Sequence, residues 1–255
     1  MKQGGADPRI QCSSEGGVAR LRIERPEARN ALDSSMLHAL IAAIDSLAGD
    51  DSVQVVVFES AGEAFCAGFD LAELDAGDDA AHRAAFILFN RFARRLQRLP
   101  QAVIARVQGV ATAGGCQIVA ACDLAVASSD ARFATSSIGL GLFGAAPAVP
   151  LSRNVGRKAA FGMLFGGDFI EAQRALQFGL INEVVPPQAL DEAVSALAIR
   201  LCSQPPAALR AGKQFFLRQL EMGIDAAYQL SAEVMADNLR HDEAVRRIRA
   251  FLARE

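Results

Sequence analysis

Two short bends carry the residues best placed by type and spacing to do chemistry: AFCAGFDLAEL at residues 64–74 and ATAGGCQIVAACD at residues 111–123. The first follows strand 53–60 by one short loop, the second is reached directly from strand 103–108, and in each glycine, Gly68 or Gly114 with Gly115, permits a tight bend before a helical pattern begins. Backbone N–H groups at a helix start have no partner inside the helix, so they suit an incoming anion or oxyanion. The plainer reading of Asp70, with Glu73 three residues on, is a helix N-cap, and a glycine pair before a helix also reads as close packing. Neither bend is a phosphate loop, because no G-x-G-x-x-G follows an early strand and no G-x-x-x-x-G-K-[ST] occurs.

Other reactive side chains are scattered. His82 reads as an exposed helix residue, with service as a base the alternative. Cys116 follows Gly115 but has no nearby His to lower its pKa, so a buried thiol is the better reading. Ser136 and Ser137 could hydrogen-bond a water or a substrate, yet nothing beside them in sequence would activate either as a nucleophile. Arg91, Arg94, Arg95 and Arg98 form a basic face on an amphipathic helix, and Asp123 is expected to bond nearby backbone.

These bends need a scaffold of alternating strands and helices. Residues 18–24 alternate apolar and charged side chains, and 53–60 and 103–110 are short Val/Ile runs; between the first two, residues 33–50 repeat Leu37, Leu40, Ile41, Ile44 and Leu47 at helical spacing. That order is α/β. Beyond residue 145 strand signals nearly vanish apart from 181–186, and segments 191–204, 206–223, 224–240 and 242–255 read as amphipathic helices. The expected organisation is a flexible N-terminus over 1–17, an α/β body over 18–195, and a helical assembly region over 196–255.

Composition narrows the partners. The chain has 255 residues, 51% of them hydrophobic, and a net charge of -3, with no broad basic field for nucleic acid. No apolar run reaches the roughly 18 residues of a membrane span. Its 5 cysteines are odd in number and dispersed, and its 3 histidines lie far apart, so neither a disulfide framework nor a metal site is expected. The Gly-rich polar start lacks a signal sequence's apolar core, and the expected location is cytoplasmic.

Taken together, FCAGFDL, then PQAVIARVQGVATAGGCQIVAACDLAVAS, ARFATSSIGLGLF and RALQFGLINEVVP resemble the enoyl-CoA hydratase/isomerase family, the crotonase superfamily. The resemblance implies a spiral of ββα units with a C-terminal helical region that builds homotrimers, often paired into hexamers. It implies an acyl-CoA thioester substrate of fatty acid metabolism and no separate cofactor, since CoA belongs to the substrate. Backbone N–H groups matching Phe69 and Gly114 would hold the thioester oxygen. Ala67, Gly68, Asp70, Leu71 and Gly115 would line the substrate beside them, Arg29, Asn30 and Ala31 would lie near CoA, and Lys213 would stand near a neighbouring subunit's CoA phosphate.

This sequence departs from that family where proton transfer occurs. The two glutamates of a hydratase correspond to Gln117 and Ser137, neither of which exchanges a proton near neutral pH as a carboxyl group does. The carboxylate that dienoyl-CoA isomerases carry further along is missing from residues 139–149. The Gln/Ser pairing resembles a divergent branch of the family. The expectation is an acyl-CoA enzyme that stabilises an enolate and hydrates weakly, with a non-catalytic acyl-CoA binder, or a thioester hydrolase or decarboxylase, as alternatives.

Overall fold

The computed structural model describes residues 7–253, whose strands and helices interleave as the hydrophobic periods predict. The chain opens with β1 (Ile10–Glu15), β2 (Val18–Ile23), α1 (Ser34–Ala48), β3 (Val55–Ser60), α2 (Leu71–Asp75) and α3 (Asp79–Gln97). It continues through β4 (Ala102–Val107), β5 (Ala111–Thr112), α4 (Gly114–Ala121), β6 (Leu124–Ser128) and β7 (Arg132–Ala134), then a 3-10 turn at Ser136–Leu140. After α5 (Ala145–Asn154) and α6 (Arg157–Gly166) come β8 (Ile170–Glu171), α7 (Ala172–Phe178) and β9 (Glu183–Val185). Four helices close it: α8 (Leu190–Cys202), α9 (Pro206–Gln219), α10 (Ile224–Asn238) and α11 (Asp242–Leu252).

A 6-stranded sheet runs β1-β2-β3-β4-β6-β9, parallel from β2 onward, and a 3-stranded sheet runs β5-β7-β8. Successive turns of chain add a strand to the large sheet and then a shorter one to the second wall, where isolated parallel bridges join Leu32 to Phe69 and Cys66 to Ala111. This is a spiral of ββα turns, and it stacks equivalent bends one above another. All six residues of β3 are buried, because both sheet faces are covered. One core gathers Leu37, Leu40, Phe58, Phe92 and Ile118 between the walls and α1, α3 and α4. A second packs Val55, Val57, Ile104 and Val126 under Leu190, Val194 and Leu197 of α8.

Two expectations are corrected. Residues 10–15 are not a loose terminus: they pair antiparallel with β2 through a turn in which Gly16 and Gly17 both have positive φ, the hairpin signal of a Gly-Gly pair. Polar, exposed residues disguise this edge strand; residues 1–6 of the expected terminus lie outside the described residues. The helical tail also begins later than residue 196, since α8 crosses that boundary and its apolar face belongs to the second core.

Candidate functional site

The two glycine bends meet on adjacent turns of the spiral. Leu32 N–H donates to Gly68 O at 2.8 Å and Asp70 N–H to Leu32 O at 2.9 Å, so the intervening Phe69 N–H faces the other way. Gly114 is the first residue of α4, behind Ala113 in a backbone conformation rare for a side-chain-bearing residue, φ 49 and ψ -116. Among the described residues, neither the Phe69 nor the Gly114 N–H has a hydrogen-bond acceptor. A Cβ placed on Gly68 would come within 2.7 Å of the Gly114 nitrogen, so the two bends are in contact. Two donors set on adjacent turns can grip one oxygen between them.

Packing dictates both glycines at 114 and 115. A Cβ on Gly115 would fall 2.0 Å from the Cys66 carbonyl oxygen, and one on Gly114 would fall 2.5 Å from Cζ of Phe89. Phe89 thus closes the site from α3. It is 3% exposed and packs against Phe92 edge-on and Phe69 at 6.2 Å; Phe69 also meets Phe86 at 6.0 Å. Helix α4 has no side-chain cap, whereas Asp33, Asp70 and Asp78 cap α1, α2 and α3. No side chain caps its first turn.

Gln117 stands one turn into α4, 3% exposed, with Nε2 3.5 Å from Asn90 Oδ1 and with Oε1 buried and unpartnered. Ser136 Oγ pairs with Thr112 Oγ1 at 2.7 Å, two residues ahead of Gly114. Ser137 turns toward Gly144, at the start of α5, where a Cβ would lie 3.4 Å from its Oγ. Phe89, Asn90 and Thr112 are site residues that the sequence did not single out. Phe89 and Asn90 sit in an ordinary amphipathic helix, and only the packing of α3 beside α4 brings them to Gly114 and Gln117, whereas Thr112 precedes Gly114 in a two-residue strand.

Asp70 is the N-cap expected of it, accepting from Ala72 N–H at 2.9 Å, and it also takes a 2.6 Å ion pair from Arg25. Burial works to raise its pKa, but these hydrogen bonds outweigh burial and hold it below the usual carboxylate value. Glu73 does not complete a capping box; it accepts from the N–H and hydroxyl of Ser34. Leu71, 54% exposed, begins α2 beside this pair. Ala67 N–H donates to Arg29 O at 3.0 Å, which ties the first bend to the loop at 29–31.

Several expected ligand contacts are engaged within the chain. Asn30 is fully buried: its amide donates to Ala61 O and Ala64 O at 2.7 and 2.8 Å and accepts from Arg25 N–H, so it clamps the loop instead of facing solvent. Arg29 beside it is exposed, Ala31 half-buried. Lys213 is 10% exposed and bound to Asp123 at 2.6 Å and Gln101 O at 2.9 Å, which ties it into its own chain. Asp123 bonds Val103 N–H at 2.7 Å as expected of it.

The alternative bases are accounted for. His82 Nε2 lies 2.7 Å from Leu74 O and joins α2 to α3. Burial pushes the Cys116 thiol up to about 12, so it is an inert packing group. Arg95 pairs with Asp45, and with Arg94 and Arg98 it lines a cleft of about 370 Å³ between α1 and α3. Another of about 530 Å³ lies among α6, β8 and α7; neither is lined by Gly114 or Gln117. Among the described residues no cluster could hold a metal ion, and no helix is long and apolar enough to cross a membrane.

A ββα spiral presenting two acceptor-free backbone N–H groups at the foot of an aromatic wall defines a crotonase-type fold. The chain belongs to the enoyl-CoA hydratase/isomerase family, whose pattern matches residues 13–255. It is 39% identical over 99% of its length, and 88% of the relative's, to the mitochondrial enoyl-CoA hydratase domain-containing protein 3 of Danio rerio. The crystal structure of the human protein of that name superposes with a TM-score of 0.93 at 35% identity, covering 97% of this chain and 98% of that one. An enoyl-CoA hydratase from Mycobacterium smegmatis superposes with a TM-score of 0.95 at 46% identity over 98% of both chains. The divergent branch suggested by Gln117 and Ser137 is thus represented among its relatives. The word mitochondrial in the Danio rerio name points away from a purely cytoplasmic expectation.

Proposed function

We propose that this chain binds acyl-CoA thioesters and stabilises their enolates, with the Phe69 and Gly114 N–H groups holding the thioester oxygen. The observation that carries this reading is the pair of acceptor-free donors on touching bends. Negative charge that develops on that oxygen meets donors already in place, and one such donor is worth about 2.7–4 kcal/mol in an enzyme where it was removed. The substrate's CoA moiety would run past Arg29 and Ala31, while Ala67, Gly68, Asp70, Leu71 and Gly115 frame the thioester through backbone. No separate cofactor is required.

Ordinary hydration is expected to be weak. A positioned acid–base group contributes about 10²–10⁴-fold, and both positions here hold neutral side chains, Gln117 and Ser137. The same neutrality favours the second reading, a binder without turnover. Calorimetry with crotonyl-CoA and with the matching S-alkyl thioether, which lacks the carbonyl oxygen, tests the oxygen site without a mutation. Crotonyl-CoA should bind at least about tenfold tighter, and equal affinities would end the oxyanion reading. Turnover then separates enzyme from binder: the double variant Gln117→Glu, Ser137→Glu should raise crotonyl-CoA hydration by at least about 10²-fold. If the variant folds, binds and remains idle, loss of the carboxylates is not what limits hydration.

A further inference from the structure

Away from the glycine bends, three charged side chains share one concavity. The cleft of about 530 Å³ among α6, β8 and α7 carries Lys158, Asp168 and Arg174 over a floor of Met163, Ile170 and Phe178. Small-molecule sites commonly span about 300–1,000 Å³ and set a few polar groups on an apolar lining. Among the described residues none of the three charges forms an ion pair, and all three side chains are exposed, so a ligand reaches them without rearrangement of the fold.

Arg174 is held ready for an anion. Its guanidinium lies over the Phe178 ring at 4.4 Å and donates through Nη1 to Gln177 Oε1 at 3.0 Å, which leaves the other donors of the planar fork open. A fork fixed in this way loses little freedom on taking an oxyanion, and phosphate matches its geometry. Lys158, from α6, adds a compact point charge. Positive charge also gathers here in an acidic chain: residues 131–180 hold Arg132, Arg153, Arg157, Lys158 and Arg174 against Asp168 and Glu171, whereas the whole chain carries -3. Of those cations only Arg153 is ion-paired among the described residues, to Glu221 at 3.5 Å. A local field of this sign draws anions to the cleft.

The floor points to an organic ester of phosphate. Gly162, which also lines the cleft, stands four residues after Lys158 on the same face of α6, and a Cβ there would meet nothing within 4 Å. Glycine inside a helix is unfavourable, and no packing within the chain calls for it at this position. It leaves the α6 backbone open to a flat body, with Met163 and Ile170 as apolar neighbours. Asp168 is an acceptor only, so it favours a ligand that brings hydroxyl donors and repels a second anion.

We propose that this cleft binds a nucleoside monophosphate, with the phosphate on Arg174 and Lys158, the ribose hydroxyls donating to Asp168 and the base over Gly162. The site is separate from the thioester reading above, since none of Arg29, Ala31, Phe69, Gly114 or Gln117 lines it. CoA carries a nucleotide of the same chemistry at its far end, and the experiment distinguishes the two sources.

The purified chain is dialysed to equilibrium against radiolabelled AMP, with adenosine and inorganic phosphate as competitors. AMP is expected to bind with a Kd of about 0.1 mM or tighter, and adenosine and phosphate at least about tenfold more weakly, because each supplies only part of the contacts. Saturating crotonyl-CoA should leave the AMP affinity within about twofold. Displacement would place AMP where the nucleotide end of CoA lies and overturns a separate site. Lys158→Met and Arg174→Met should each weaken AMP at least about tenfold while crotonyl-CoA binds as before. Gly162→Leu meets no clash and favours the helix, so it keeps the test open should the other variants not fold; it should weaken AMP at least about tenfold and leave inorganic phosphate as it was. No retention of AMP, an AMP affinity equal to that of inorganic phosphate, or one unmoved by these variants overturns the proposal.

Discussion

Ala113 holds the most strained backbone beside the site, at φ 49 and ψ -116. Its N–H is fixed on Ala134 O at 3.0 Å and its carbonyl receives Gln117 N–H at 3.1 Å, so strand and helix together impose the conformation that turns the Gly114 N–H outward. Such strain costs on the order of 1–3 kcal/mol, and glycine would relieve it while giving back part in unfolded-chain entropy. Ala113→Gly should therefore raise stability by about 1 kcal/mol in urea denaturation. A fall would mean that the Ala113 methyl contributes more by packing than its backbone costs. The glycines at 68, 114 and 115 were legible as bends needing close backbone approach, because glycine announces that in the letters, whereas Gln117 and Ser137 stood out only against the family resemblance. Phe89 was not legible: only the packed structure shows that its ring stands where a Gly114 side chain would.

At the scale of elements, hydrophobic period and turn residues carried most strands and helices, and polarity hid the rest. β1 escaped notice because all its side chains but Ile10 are exposed and its order comes mostly from backbone pairing. The end of the body was set too early because α8 looks, by amphipathicity, like the helices after it, although its apolar face closes the second core. Lys213 shows the same limit: sequence gives its charge but not its partner within the chain. It ties α9 to the junction of α4 and β6 through Asp123, with the two side chains 10% and 25% exposed. Burial pushes the Asp123 carboxyl up and the Lys213 ammonium down, and the attraction between them offsets that only in part. Cutting one partner from such a pair is costlier than replacing both. Lys213→Met should lose about 3–5 kcal/mol of stability in urea denaturation, and Lys213→Met with Asp123→Asn, which keeps an acceptor for Val103 N–H, should recover more than half of the loss. Additive losses would show that the two side chains act independently.

The whole molecule is lopsided in how it buries apolar surface. The spiral has two dense cores, yet α9 and α11 bury no residue completely and α10 buries only Ala227. Phe216, Leu220, Tyr228, Met235, Ile248 and Phe251 on or beside these helices are 45–70% exposed. Phe161 and Phe165 stack at 4.1 Å on the outside of α6, and Phe165 meets Phe143 at 4.9 Å. Helices this short are marginal in water without an apolar face packed on something, and scattered large side chains in such number exceed what a lone surface ordinarily carries. Sequence could suggest an assembly surface from amphipathic helices, but it could not say that the chain's own core leaves them uncovered. The expected state in solution is a homotrimer or a dimer of trimers, as the family resemblance implies, and sedimentation equilibrium at micromolar concentration measures it. Ile248→Glu with Phe251→Glu, on one face of α11 at a spacing of three residues, should weaken association at least about tenfold while leaving the secondary structure of the spiral, read by circular dichroism, in place. A stable monomer before any substitution would mean that α9–α11 are held by backbone and rim contacts alone, and the helical tail would lose its role in assembly.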